Sequence, residues 1–162
     1  MNKIGGADSY CGWYRGAQLS KFSHFRARLE RLLNWLAGND IQTFSLAKKV
    51  ISVHLPPGIA IEKATAQELG LATKAAIESH NELSEEIVKF VFSSLKAQDG
   101  EKCEAVIRSV ISVVNAKTVA DFIRIAVRAR PSLASTAANT AIMLVPEKAE
   151  QISRAVASVV CC

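Results

Sequence analysis

The sequence predicts an all-α protein, a single domain of about seven or eight helices with short stacked helices in its C-terminal half. Apolar residues recur at three- and four-residue steps along most of the chain, which is the helical period. Residues 61–80 are rich in Ala, Glu, Lys and Leu, all of which favour helix. Pro131 and Pro146 divide the last third into blocks of fifteen residues. The stack is either a helical repeat or an irregular bundle.

The first helix is expected to follow an irregular segment. Residues 1–17 contain four Gly, two Tyr and a Trp without a period, so the helical domain is predicted to span residues 18–162. A basic helix is expected over 20–37, and Gly38 accepts the left-handed conformation that ends many helices. Its apolar face carries Phe22, Phe25, Leu29, Leu32, Leu33 and Leu36.

The middle of the chain contains three further helical patterns. A short helix over 45–55 is expected to end at Pro56, Pro57 and Gly58. Gly70 is expected to divide residues 61–80 into two helices. Asn81 is predicted to cap the next helix. The apolar stripe of that helix is Leu83, Ile87, Phe90, Val91 and Leu95.

Two segments near the C-terminus are almost the same. Glu101–Val114 and Glu147–Val160 share eight of fourteen residues and lie 46 positions apart. Their apolar faces align, so Val110 and Val156 are expected to be buried equivalently. Short stacked helices are predicted over 82–161, and the prolines divide 117–161 into three blocks of fifteen residues. Each such helix is marginal alone and is stabilised by its neighbours. The similarity reflects either duplication or shared composition, and the sequence leaves both open.

Charged residues are expected on the solvated faces of these helices. Glu85 and Lys89, Glu104 and Arg108, and Glu150 and Arg154 have the four-residue spacing of helical ion pairs. Glu85 and Glu86 are interpreted as an acidic first turn at a helix N-terminus.

No catalytic, cofactor or metal site is predicted from the sequence. His24, His54 and His80 are far apart, and the four cysteines have no zinc-ligand spacing. Cys103 is expected to be a buried small hydrophobe. No phosphate-binding loop or hydrolase motif is present. The expectation is therefore a non-enzymatic protein–protein interaction or structural helical module with an unidentified protein partner.

The positive charge of the chain lies in its first third. Residues 1–58 hold eight Lys or Arg and three Asp or Glu, whereas residues 59–162 hold twelve of each. The candidate interaction surface comprises Lys21, Arg26, Arg28 and Arg31. The pattern of segment 21–38 is that of a helix packed in the core. The alternative to an interaction module is a peripheral membrane-binding protein that uses this helix on an anionic membrane surface.

Two further expectations concern binding and location. Nucleic-acid binding is not expected, because no recognition motif accompanies the basic residues. The absence of an apolar leader or spanning segment predicts an intracellular, cytoplasmic protein.

Overall fold

A computed structural model describes residues 42–161, and all regular structure in that part of the chain is helical. The α-helices are α1 (42–54), α2 (Ala66–Ser79), α3 (Ser84–Ser94), α4 (Gly100–Val113), α5 (Val119–Ala129), α6 (Ala134–Leu144) and α7 (Ala149–Val160). Single 3₁₀ turns, Asn81–Leu83, Pro131–Leu133 and Pro146–Lys148, precede α3, α6 and α7. The predicted all-α fold is confirmed. The lead-in at 1–17, the domain start at residue 18 and the basic helix 20–37 lie outside the described residues and stay predictions.

Helix α1 ends at the predicted proline stop. The N–H of Ile59 donates to the carbonyl of Pro56 at 3.1 Å, which closes a tight turn. Gly58 occupies the third position of that turn with φ of 79°. A type II turn requires a positive φ there, and glycine adopts it without steric cost.

Helix α2 begins with a capping box, which was not predicted from the sequence. The backbone N–H of Thr65 donates to Glu68 Oε2 at 2.8 Å, and the N–H of Glu68 donates to Thr65 Oγ1 at 3.3 Å. The Thr65 hydroxyl also donates to Glu68 Oε2, at 2.9 Å, and the bonds that the carboxyl accepts from the Thr65 N–H and then from its hydroxyl lower the pKa of Glu68. The spacing Thr65-x-x-Glu68 is the usual sequence signal for this motif.

The expected break at Gly70 is wrong, because α2 runs unbroken through that position. Gly70 is buried where α2 and α4 approach closely. A Cβ atom there would lie 3.1 Å from Ser109 Oγ and 3.2 Å from the backbone oxygen of Ala105. The glycine therefore allows the two helices to pack closely, and this reason is tertiary rather than local.

Replacement of Gly70 by Leu is expected to lower the free energy of unfolding by about 1–3 kcal/mol, because α4 must move to admit the side chain. Gly100 is the matched control, since no atom lies within 4 Å of a Cβ built there. Urea denaturation of both variants measures the difference. Equal midpoints for Gly70→Leu and Gly100→Leu would contradict the close approach of α2 and α4.

The helices pack in two rows. In one row α2 contacts α4 and α4 contacts α6, while in the other α3 contacts α5 and α5 contacts α7. The contacts of α2 with α3, α5 with α6 and α6 with α7 join the rows. Helix α1 contacts α3, where the rings of Phe44 and Phe90 meet edge-on with centroids 5.0 Å apart. The core lies between these elements. Its largest fully buried side chains include Phe92, Ile51, Leu69, Ile77, Ile87, Ile107, Ile123, Leu133 and Ile152.

The prolines of the last third set helix boundaries as the sequence predicts. Pro131 and Pro146 each begin a 3₁₀ turn that leads into the next helix. A proline is tolerated there because its missing N–H would have no partner in a first helical turn. The residue before Pro131 also joins two helices, because an Arg130 guanidinium nitrogen donates to the carbonyl of Ser93 at the end of α3, at 2.5 Å.

Asn81 does not cap α3 with its side chain. It begins the 3₁₀ turn before that helix, and its carbonyl and side-chain oxygens accept hydrogen bonds from the Ser84 hydroxyl at 2.5 and 3.3 Å. The predicted α3 stripe is otherwise confirmed: Ile87, Phe90 and Val91 are buried. Because of the 3₁₀ turn, the α-helix begins at Ser84, three residues after Asn81. The side chain of Asn81 therefore hydrogen-bonds to Ser84 at the end of the turn.

The two similar segments differ in burial. Both are helices, but Val110 in α4 is 1% exposed, whereas Val156 in α7 is only partly buried. Val160, at the end of the second segment, is 60% exposed. The expectation of equivalent buried faces is therefore wrong. Among the described residues, α4 packs extensively against α2 and also against α6, whereas α7 packs less extensively against α5 and α6.

Candidate functional site

A groove runs along the outer surface between α3 and α5. Its wider end is a hollow of about 520 Å³. One side of this hollow is the start of α3, with Glu82, Glu85 and Glu86, and the other is the connection from α4 to α5. A second hollow of about 270 Å³ continues it along the two helices. Because Glu85 and Glu86 line both hollows, we treat them as one feature, the α3–α5 groove.

The groove has an apolar floor. Phe122 is largely buried beneath the wide end, and Val113 and Val114 are partly buried beside it. Ile125 and Ala129 continue the apolar surface along α5. These side chains keep part of their area in water, so a bound apolar group would remove that area from solvent.

Charge is distributed unevenly along the groove. Three carboxylates, those of Glu82, Glu85 and Glu86, line the wide end, where none of the described lining residues is Lys or Arg. At the narrow end Glu85 and Glu86 are accompanied by the cations Lys89 and Arg128. The groove can therefore orient a ligand whose charges are distributed in the reverse order.

The carboxylates at the wide end are largely unpaired within the described residues. Glu82 lies 3.5 Å from His80, which is a salt bridge only when the imidazole is protonated. In that part of the chain neither Glu85 nor Glu86 reaches a cation, so the predicted Glu85–Lys89 pair is absent. Of the three predicted pairs only Glu150–Arg154 forms there, at 2.5 Å, and Asp121–Arg124 forms unpredicted at 2.6 Å. The position of Glu85 and Glu86 in the first turn of α3 is confirmed.

Local hydrogen bonds fix the connection that borders the wide end. Asn115 Oδ1 accepts from the N–H of Lys117 at 3.0 Å, and the Asn115 carbonyl accepts from the Thr118 hydroxyl at 2.9 Å. Such Asn-centred turns hold a short connection in one conformation. The wall of the groove is therefore pre-formed, which lowers the entropic cost of binding.

The interaction surface predicted from the sequence lies outside the described residues and stays a prediction. Its residues are Lys21, Arg26, Arg28 and Arg31, and His24 and Cys162 are also outside that part of the chain. His54 is half-buried near the end of α1, with Nε2 3.5 Å from Ser79 Oγ. Within residues 42–161 no group of His, Cys, Asp and Glu is arranged to hold a metal ion.

The described cysteines have different environments. Cys103 is buried as predicted, and burial, with a smaller contribution from Glu104, raises the pKa of its thiol to about 12. The thiol therefore stays protonated near neutral pH and is a poor nucleophile. Cys161 is exposed.

The groove itself was not predicted from sequence. Its walls come from α3, α5 and the connection after α4, which are separated along the chain. The one feature of the groove that the sequence shows is the acidic first turn of α3. Acidic residues are common at the start of solvated helices, so this feature alone does not indicate a binding groove. Only the packing of α3 against α5 places Phe122 and Ile125 beside those carboxylates.

The fold and groove define an all-α bundle with two rows of helices and an open surface groove between neighbours of one row. No family model, curated protein or solved structure matches the chain. In the part that the structure describes, no helix has both the length and the apolar character needed to cross a bilayer.

Proposed function

We propose that this protein is a non-enzymatic interaction module that binds a segment of a partner protein in the α3–α5 groove. The observation that carries the proposal is an open groove that combines an apolar floor with Glu85 and Glu86, two carboxylates that have no ion-pair partner among the described residues. An amphipathic helix or extended segment docks in such grooves by placing apolar side chains on the floor.

The chemistry of the groove specifies the partner segment. An apolar side chain would rest on Phe122 and Ile125, and its burial would supply the affinity. A Lys or Arg next to it would lie against Glu85 and Glu86, which form no ion pair within residues 42–161. Exposed charges of this kind add modest affinity but fix orientation and suppress acidic competitors.

The stacked helices fit a helical-repeat origin. Two consecutive units each consist of a 3₁₀ turn at a proline followed by one short helix, Pro131–Leu144 and Pro146–Val160. In helical-repeat arrays each short helix is buried by packing against the helices of neighbouring units. Descent from a repeated unit would also account for the similarity of 101–114 and 147–160. Repeat arrays commonly use their extended surfaces for binding, in keeping with the proposed role.

Selection of peptides from a random display library against the intact protein is expected to enrich sequences that combine Lys or Arg with an aromatic or aliphatic anchor. Their binding should weaken as salt is raised, because the charges involved are exposed. Changing both Glu85 and Glu86 to Gln is expected to weaken binding about three- to tenfold, a loss of roughly 1 kcal/mol.

The matched control changes Glu101 and Glu104 to Gln. Both are exposed on α4, and the substitution alters net charge by the same amount without touching the groove. Equal losses in the two variants would show a general charge effect and contradict binding in the groove. Failure to enrich any common peptide pattern would contradict the proposed function as a whole.

Peripheral membrane binding through segment 21–38 is the second candidate, favoured by the concentration of positive charge in residues 1–58. Each basic residue near an anionic leaflet contributes about 1 kcal/mol. Co-sedimentation with anionic and neutral vesicles, using Arg26, Arg28 and Arg31 changed to Gln as the comparison, tests it. Absence of binding to anionic vesicles at low salt would exclude this candidate.

A further inference from the structure

Two cations at the narrow end of the α3–α5 groove have no part in the proposed function. Lys89 on α3 and Arg128 on α5 line that hollow from its two walls. Both side chains are exposed, and neither forms an ion pair within residues 42–161. Their charges are therefore available to a ligand in the groove.

Negative and positive groups follow one another along the groove. Glu85 and Glu86 line both hollows, so they lie where the hollows meet, whereas Lys89 and Arg128 line the narrow hollow and not the wide one. On α3, Lys89 follows Glu85 by four residues, which is a rise of about 6 Å along the helix axis. The cations are therefore about one helical turn beyond the carboxylates.

The apolar floor extends past both sets of charges. Ile125 lines the same hollow as Glu85, Glu86, Lys89 and Arg128, and it is only partly buried. An apolar side chain resting on Ile125 would therefore have groups of both signs within reach of the residues that flank it.

We propose that the partner segment carries an Asp or Glu in addition to its Lys or Arg, and that this acidic side chain lies between Lys89 and Arg128. The inference rests on the proposed function and specifies the partner further. A segment with basic residues alone would bring a like charge towards Lys89 and Arg128 wherever it extends past Ile125, which disfavours binding. An acidic residue at that point is attracted from both walls.

The separation of the charges sets the spacing of the two residues in the partner. A rise of about 6 Å corresponds to four residues in a helical segment. In an extended segment it corresponds to about two residues. A basic and an acidic residue at either spacing, beside an apolar anchor, match the groove in one orientation and oppose it in the reverse one.

The test uses the peptides that display selection enriches on the intact protein, with binding measured by isothermal titration calorimetry. Enriched peptides are expected to carry Asp or Glu at one of these spacings from Lys or Arg. Changing Lys89 and Arg128 to Gln should weaken their binding about three- to tenfold. The same change should have little effect on a peptide whose own acidic residue is replaced by its amide. Changing Lys89 and Arg128 to Glu should make a peptide with Lys in place of the acidic residue bind more tightly than the original peptide.

The matched control changes Lys49 and Arg108 to Gln, which also removes one Lys and one Arg. Both are exposed, on α1 and α4, and line neither hollow. Circular dichroism should show all variants folded, because every altered side chain is exposed. Equal losses in the two Gln variants would overturn the inference. Enriched peptides with a basic residue and an apolar anchor but no acidic residue at these spacings would overturn it too, and would leave the proposed function in place. Failure to enrich any peptide would overturn both.

Discussion

Replacement of Val110 by Asp is expected to destabilise the protein by about 4 kcal/mol or more, a large part of the stability of a domain of this size. Val110 is 1% exposed on α4, a helix that packs against both α2 and α6. A carboxylate there loses its hydration and gains no cation or hydrogen-bond donor in return. Chemical denaturation followed by circular dichroism measures the loss, and a protein unfolded without denaturant would agree with it.

Val156→Asp is the matched control, because it makes the same change at the corresponding position of the similar segment. Val156 is only partly buried, so its new carboxylate can keep contact with water. A smaller loss, about 1–2 kcal/mol, is expected. Equal losses at the two positions would contradict the different environments of α4 and α7.

Replacement of Phe92 by Ala is expected to cost about 3–5 kcal/mol of stability. Phe92, on α3, is the largest fully buried side chain among residues 42–161. Truncation removes the transfer free energy of the ring and leaves a cavity that the surrounding helices fill only partly. Thermal or urea denaturation checks the result.

The control for Phe92→Ala is Val53→Ala. Val53 is an exposed apolar residue of α1, so its truncation should change stability by less than about 0.5 kcal/mol. A Phe92→Ala variant as stable as Val53→Ala would contradict the burial of Phe92.

The sequence predicts most helix boundaries because the signals for them are local. Pro131 and Pro146 act through their missing N–H and their effect on the preceding residue, so the breaks they set are found in the structure. The stop at Pro56–Gly58 is confirmed for the same reason. These signals depend on neighbouring residues alone and can be identified without knowledge of the fold.

Features that depend on tertiary contacts were not predictable in the same way. Gly70 resembles a helix break in isolation, yet its role is to admit the backbone of α4 beside α2. The sequence likeness of α4 and α7 does not reveal that, within residues 42–161, α4 packs more extensively against other helices than α7 does. The groove combines Glu85, Phe122 and Ile125, which come from different helices, so its composition depends on how α3 packs against α5.

The most direct test of the proposed function is site-specific photo-crosslinking of the intact protein in cells that make it. Benzoylphenylalanine replaces either Ile125, which lines the α3–α5 groove, or Leu71, an exposed apolar residue on α2. A discrete protein adduct is expected from position 125 that is absent from position 71 and is weaker when Glu85 and Glu86 are changed to Gln. The same adducts from both positions, or none from position 125, would contradict it.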